Sequence, residues 1–182
     1  MKKALLNVDY TFDFVAEEGA LTCGVPGQQI ESAIVRITEE FIRNKDYVVF
    51  AIDLHKEGDH LHPETKLFPP HNIEDTKGRL LYGELQNLYQ NHQDNENVYW
   101  MDKTRYSAFA GTDLEIKLRE RGITEVHLVG VCTDICVLHT AVDAYNKGFK
   151  VVVHKDAVAS FNQTGHEWAL EHFKNSIGAE VI

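Results

Sequence analysis

Five short runs of mainly β-branched and aromatic residues, each four to six residues long, recur along the chain: Ala4–Val8, Tyr47–Ile52, Val98–Met101, Val126–Val131 and Phe149–Val153. Runs of this length and composition read as buried strands. Between them lie stretches with helical spacing, Gln28–Arg43, Thr112–Arg121, Cys136–Asn146 and His166–Lys174. The first of these carries Ile30, Ile34, Ile37 and Phe41 along one stripe. Strand and helix therefore alternate as βαβ units, which call for a parallel sheet covered on both faces. Gly122 and Gly148 close two of the helices just before the next strand, as short αβ connections require. A sixth, shorter run at Glu180–Ile182 can extend the sheet. The expected fold is α/β, a three-layer αβα, Rossmann-like arrangement with a mostly parallel six-stranded sheet, built as one domain from residues 1–182. A length of 182 residues with 43% hydrophobic residues suits one core of that size and is short for two.

One segment breaks the alternation. Leu54–Arg79 is rich in His, Pro, Gly and charge and keeps no period. A loop this long within a compact domain usually carries function. In open parallel sheets ligands gather beyond the carboxyl ends of the strands. The polar residues expected on that rim are Asp9, Asp53 and His55, Asp102 and Lys103, the segment Cys132–Cys136, and Asp156.

Composition excludes several classes of function. A formal charge of −10 without a Lys/Arg cluster argues against a nucleic-acid surface. The apolar run after Met1 is interrupted at Asn7 and closed at Asp9, too short for a signal peptide or a membrane span. The three cysteines, Cys23, Cys132 and Cys136, are too few for a disulfide framework, so reduced thiols and a cytoplasmic location are expected.

The chemistry concentrates at two places. Cys136 stands where a loop runs into a helix, and the helix N-terminus favours thiolate and offers N–H groups to an oxyanion; the plain alternative is a small core residue. Lys103 could hold such a thiolate charged, and Asp9, partly desolvated, could shuttle a proton. The second place is Asp53-Leu54-His55, an Asp-x-His pair whose side chains face the same way at a strand end. His71 can add a third ligand, and Glu64, His60 or His62 a fourth. Mixed carboxylate and imidazole donors suit zinc, manganese or iron, and spacing does not choose among them.

These residues stand in an order that resembles the isochorismatase-like cysteine hydrolase superfamily, and within it the nicotinamidases, also called pyrazinamidases. The matching motifs are Val8-Asp9-Tyr10-Thr11-Phe12-Asp13-Phe14, Asp53-Leu54-His55, Phe68-Pro69-Pro70-His71, Lys103 ahead of Tyr106-Ser107-Ala108-Phe109, and Gly130-Val131-Cys132-Thr133-Asp134-Ile135-Cys136-Val137. The resemblance implies a catalytic triad of Asp9, Lys103 and Cys136. It further implies an oxyanion hole from the backbone N–H groups of Cys132 and Cys136, next to a non-proline cis peptide in the Val131–Cys132 region. A divalent metal, zinc before manganese or iron, is implied on Asp53, His55 and His71, with Glu64 preferred as the fourth ligand. Phe14, Phe68, Tyr106 and Ile135 are then expected around the substrate. The implied reaction is hydrolysis of nicotinamide, the one small-molecule partner expected, to nicotinic acid and ammonia, as in NAD salvage. Homo-oligomers are common in the family. Thr11, Phe68, Asn72, Cys132 and Ile135 depart from the residues usual at those places, which touches ring selectivity more than chemistry. The alternatives are another small-amide hydrolase of the superfamily, of the N-carbamoyl type, and a non-catalytic thiol or metal sensor.

Overall fold

The computed structural model describes residues 2–182. Six strands, β1 (Lys3–Val8), β2 (Tyr47–Asp53), β3 (Val98–Lys103), β4 (Glu125–Val131), β5 (Lys150–Ala159) and β6 (Glu180–Val181), form one sheet in the order β3-β2-β1-β4-β5-β6. All five ladders are parallel. The sheet is flanked on both faces by helices, as the alternating sequence implies.

Alternation along the strands divides the core in two. Ala4, Leu6 and Val8 of β1 and Tyr47, Val49 and Ala51 of β2 pack on one face. They meet α5 (Leu114–Glu120), α6 (Leu138–Asn146) and α7 (Gln163–Ile177) through Leu118, Ala141 and Phe173. Leu5, Val48, Phe50 and Ile52 point to the other face, against Ile34, Ile37 and Phe41 of α3 (Glu31–Arg43) and Leu85 of α4 (Glu84–His92). Asn7 shares that second face and is held there by the Thr38 hydroxyl, which donates to its Oδ1 at 3.2 Å.

Several boundaries move relative to the sequence reading. The helix expected over 28–43 is two: α2 (Val25–Gln29) ends and α3 begins around Ile30. A short helix, α1 (Phe12–Val15), follows β1. Helix α4 carries Leu85, Leu88 and Tyr89 at helical spacing, but it is nine residues long and only Leu85 is fully buried, so its periodic signal is weak against the flanking Asn and Gln. Strand β5 runs six residues beyond the expected Val153. Leu128 pairs with Val153 and Gly130 with Val158, so the register slips there and leaves Lys155 and Asp156 exposed while Ala157 returns to the core. Asp156 consequently sits exposed inside β5 and is not on the rim; Ser160 and Phe161 follow the strand instead.

The long loop 54–79 holds two single turns of 3₁₀ helix, Pro63–Lys66 and Lys77–Arg79, and an isolated parallel bridge between His55 and Ile73. Among the described residues no helix is long and apolar enough to cross a membrane.

Candidate active site

The strand order reverses between β1 and β4: successive strands run outward from β1 on one side and from β4 on the other. The crevice at the carboxyl ends of these two strands is where such sheets take ligands. Asp9 follows β1 there, with a left-handed φ of 54°, and the peptide from Val131 to Cys132 at the end of β4 is cis. Gly130 has no substitute at its position, since a Cβ there would stand 1.9 Å from the Val8 carbonyl oxygen and its φ is 115°.

Cys136 lies in a single π turn, Thr133–Val137, that leads into α6, so the helix proper starts two residues later than expected. The N–H groups of Ile135 and Val137 both donate to the Cys132 carbonyl, at 3.1 and 3.2 Å. The turn is braced from α7: the Thr133 hydroxyl and His166 Nδ1 are 2.8 Å apart, and Asn162 Nδ2 donates to Asp134 at 3.4 Å.

Register brings the remaining groups in. Asp53 and Lys103 are neighbours across the β2–β3 ladder and therefore share a face, whereas Asp102 points the other way, to Arg79 and Trp100. Lys103 is 1% exposed. Its Nζ stands 2.7 Å from Asp9 Oδ2, 3.6 Å from Asp53 Oδ1 and 3.7 Å from Cys136 Sγ, and donates to the Arg105 carbonyl at 3.0 Å. The contact with Asp9 Oδ2 is an ion pair between two fully buried groups. Asp9 Oδ1 accepts from the Asp53 N–H at 2.7 Å.

The electrostatics follow from burial and these contacts. Burial raises the Asp9 pKa, Lys103 pulls it back and Asp53 pushes it up again, leaving it at about 6. Burial would strip Lys103 of its proton, but the charges of Asp9, Cys136 and Asp53 hold its pKa well above the usual lysine value. The Cys136 thiol is pushed well up by burial, against the pull of Lys103 and with Asp9 and Asp53 adding to the rise. This reverses the expectation from helix position alone. Burial and the two carboxylates thus work against the thiolate that a helix N-terminus favours, which gives a neighbouring base a role.

Beside this trio, on the loop side of Asp53, one ligand atom from each of Asp53, His55, Glu64 and His71 lies within 4.8 Å of the others, and all four residues are buried. His55 Nε2 is 2.6 Å from Asp53 Oδ2, and His71 Nε2 is 3.6 Å from both Asp53 Oδ2 and Glu64 Oε2. The last two contacts are too long for hydrogen bonds, and His71 Nε2 and Asp53 Oδ1 are buried without a hydrogen-bond partner. His71 Nδ1 bonds the Pro69 carbonyl at 2.7 Å, which turns Nε2 inward. Burial alone would lower the His71 pKa; the carboxylates of Asp53 and Glu64 push it up to about 10. The pocket thus calls for positive charge, and its donor set and orphaned atoms fit a divalent cation. Of the other histidines, His60 is exposed. His62 has both ring nitrogens engaged, Nε2 with the Thr104 carbonyl and Nδ1 with the Glu64 N–H.

Phe14, Phe68, Tyr106 and Ile135 line a small pocket together with Cys136, Cys132 and Glu64, so the four expected residues are gathered at the thiol. Leu21 and Phe161 complete its wall and were not expected. Phe161 follows the true end of β5, which the sequence reading placed too early, and Leu21 lies in a loop with no periodic signal. Two further residues hold the loop. Asp13 Oδ2 accepts from the Asn72 N–H at 2.8 Å, and Arg79 Nε donates to the Asp53 carbonyl at 2.9 Å. Two of the departures from the family pattern meet: the Thr11 hydroxyl donates to Asn72 Oδ1 at 2.9 Å.

A parallel αβα sheet with this rim defines a class, and comparison with known proteins agrees. The isochorismatase domain family matches residues 3–182, and the chain belongs to that family. It is closely related to bacterial nicotinamidase/pyrazinamidase homologues. A Bacillus subtilis protein described as "uncharacterized isochorismatase family protein PncA" is 72% identical over 181 residues, covering 100% of this chain and 99% of that one. The crystal structure of nicotinamidase/pyrazinamidase PncA from Bacillus subtilis superposes with a TM-score of 0.99 at 68% identity, covering 100% and 99% of the two chains. That of the pyrazinamidase of Pyrococcus horikoshii in complex with zinc gives 0.86 at 30% identity, covering 100% and 99%.

Proposed function

We propose that this protein is a nicotinamidase, hydrolysing nicotinamide to nicotinic acid and ammonia with Cys136 as nucleophile, and acting on pyrazinamide as well. The observation that carries the proposal is the buried Asp9–Lys103–Cys136 group at the floor of an aromatic pocket, directly beside a four-ligand cluster. Relatives bearing the nicotinamidase name over the full chain support it.

Asp9, with its pKa at about 6, is ionised at neutral pH and takes the Cys136 proton. Lys103 stays charged and offsets the thiolate as it forms. The sulfur attacks the carboxamide carbon, and the backbone N–H groups of Cys132 and Cys136 receive the negative oxygen. Asp9 returns its proton to the amine, ammonia leaves and a thioester remains. A water then attacks the thioester with Asp9 taking one proton, and nicotinate leaves with the thiol restored. Phe14, Phe68, Tyr106 and Ile135 enclose the ring. Asp53, His55, Glu64 and His71 are read as holding one divalent cation, zinc ahead of manganese or iron, which supplies a Lewis acid for a lone pair such as that of a pyridine nitrogen. A cytoplasmic place in NAD salvage and a single-domain organisation follow from the same reading.

Ammonia release by purified, metal-replete protein tests this with nicotinamide and benzamide, which keeps the carboxamide and lacks the ring nitrogen. Fast turnover of nicotinamide alone is expected. Equal turnover of both would remove the role of the ring nitrogen, and turnover of neither would remove the assignment.

A further inference from the structure

Cys23 and Cys132 are the two cysteines that the proposed hydrolysis does not use as nucleophiles. They come from positions 109 residues apart in sequence, and their sulfurs stand 3.3 Å from one another in a buried contact. Both are free thiols, 4% and 6% exposed. The contact is closer than the usual packing distance of two unbonded sulfurs, and a disulfide needs ~2.05 Å. Closing the pair therefore asks for a shift of the order of 1 Å.

The two partners differ in freedom to make that shift. Cys132 is anchored at the end of β4, with its carbonyl held by two N–H groups of the π turn and its neighbour Thr133 tied to His166. Cys23 lies on the loop between α1 and α2, fixed by one backbone bond from its N–H to the Phe14 carbonyl at 2.8 Å. The same loop carries Leu21, and Cys132 lines the pocket opposite, so a small oxidant entering beside Cys136 reaches Cys132 first.

We infer that Cys23 and Cys132 form an oxidation site: a thiol pair that a small two-electron oxidant converts to a disulfide joining the α1–α2 loop to the nucleophile turn. The two thiols give up two protons and two electrons, and one S–S bond forms. Hydrogen peroxide takes them to become two waters, and an azo compound such as diamide takes them to become its hydrazine. In a reducing compartment the pair rests as dithiol.

The test uses full-length Cys136→Ser protein, in which Cys23 and Cys132 are the only thiols, treated with diamide, denatured under acid and mapped by mass spectrometry. The expected result is loss of both titratable thiols, a linked peptide containing Cys23 and Cys132, and recovery of both thiols with a reductant. Two thiols still titrating, or sulfinic acid or intermolecular bridges in place of the linked peptide, would overturn the inference. The wild-type protein serves should that variant fold poorly, with the same linked peptide expected. In Cys23→Ser protein Cys132 is expected to map as an unbridged residue; a Cys132–Cys136 bridge as the main product there and in the wild type would overturn it equally.

Discussion

The trio Asp9, Lys103 and Cys136 and the cluster Asp53, His55, Glu64 and His71 are adjacent, yet they are built differently. The trio stands on the ends of β1 and β3 and on a turn clamped to β4, so the sheet itself sets its geometry. The cluster takes only Asp53 from a strand; His55, Glu64 and His71 come from a long loop that must be tied down by Asp13, Arg79 and the carbonyl of Pro69. Asp53 joins the two, with one oxygen 3.6 Å from Lys103 and the other 2.6 Å from His55. Positioning by a sheet costs the loop nothing, whereas a cluster of anionic and imidazole donors on a loop needs both tethers and a positive charge to stay gathered.

The largest expected effect separates the two regions cleanly. Cys136→Ala is expected to lower kcat by at least ~10³-fold while circular dichroism and metal content stay as in the parent. Retention of more than a few per cent of activity would remove Cys136 as nucleophile. Lys103→Met should instead damage the fold, because it leaves Asp9 buried without its cationic partner. A loss of ~3–5 kcal/mol is expected in denaturant unfolding, and an unchanged midpoint would mean that the trio is not held by charge.

The cluster is probed by metal analysis. His71→Ala is expected to bring bound metal far below one ion per chain, measured by elemental analysis after dialysis, while His60→Ala leaves it unchanged. The reverse result would shift the ligand set to the other histidine. The smallest effect is in pH. In the proposed reaction Asp9 serves as a base only when ionised, and burial raises its pKa to about 6. As pH falls through that value the base is protonated and kcat/KM should drop ~10-fold per unit; a profile flat from pH 5 to 7 would place the proton on another group.

Much of this is legible in the sequence. The strand runs, the order of the motifs and the rim residues are local signals, and Asp53-Leu54-His55 declares its own geometry because residues two apart on a strand face one way. Other features were not legible in the same manner. Helix α4 buries too little to print a clear period, and the register shift that lengthens β5 has no signature in an apolar run that stops at Val153.

The sequence by itself determined the fold class, the chemical types gathered on the rim and the family resemblance, since each rests on residue identity and spacing. Only the tertiary structure decided which groups touch. It chose Glu64 over His60 and His62 for the cluster, because one histidine is exposed and the other has spent both nitrogens on the backbone. It also buried Cys136 beside Asp9 and Lys103, where desolvation opposes the thiolate that helix position favours, and set Cys23 against Cys132. Those outcomes depend on desolvation and on distances between residues far apart in the chain, and neither quantity exists until the sheet is assembled.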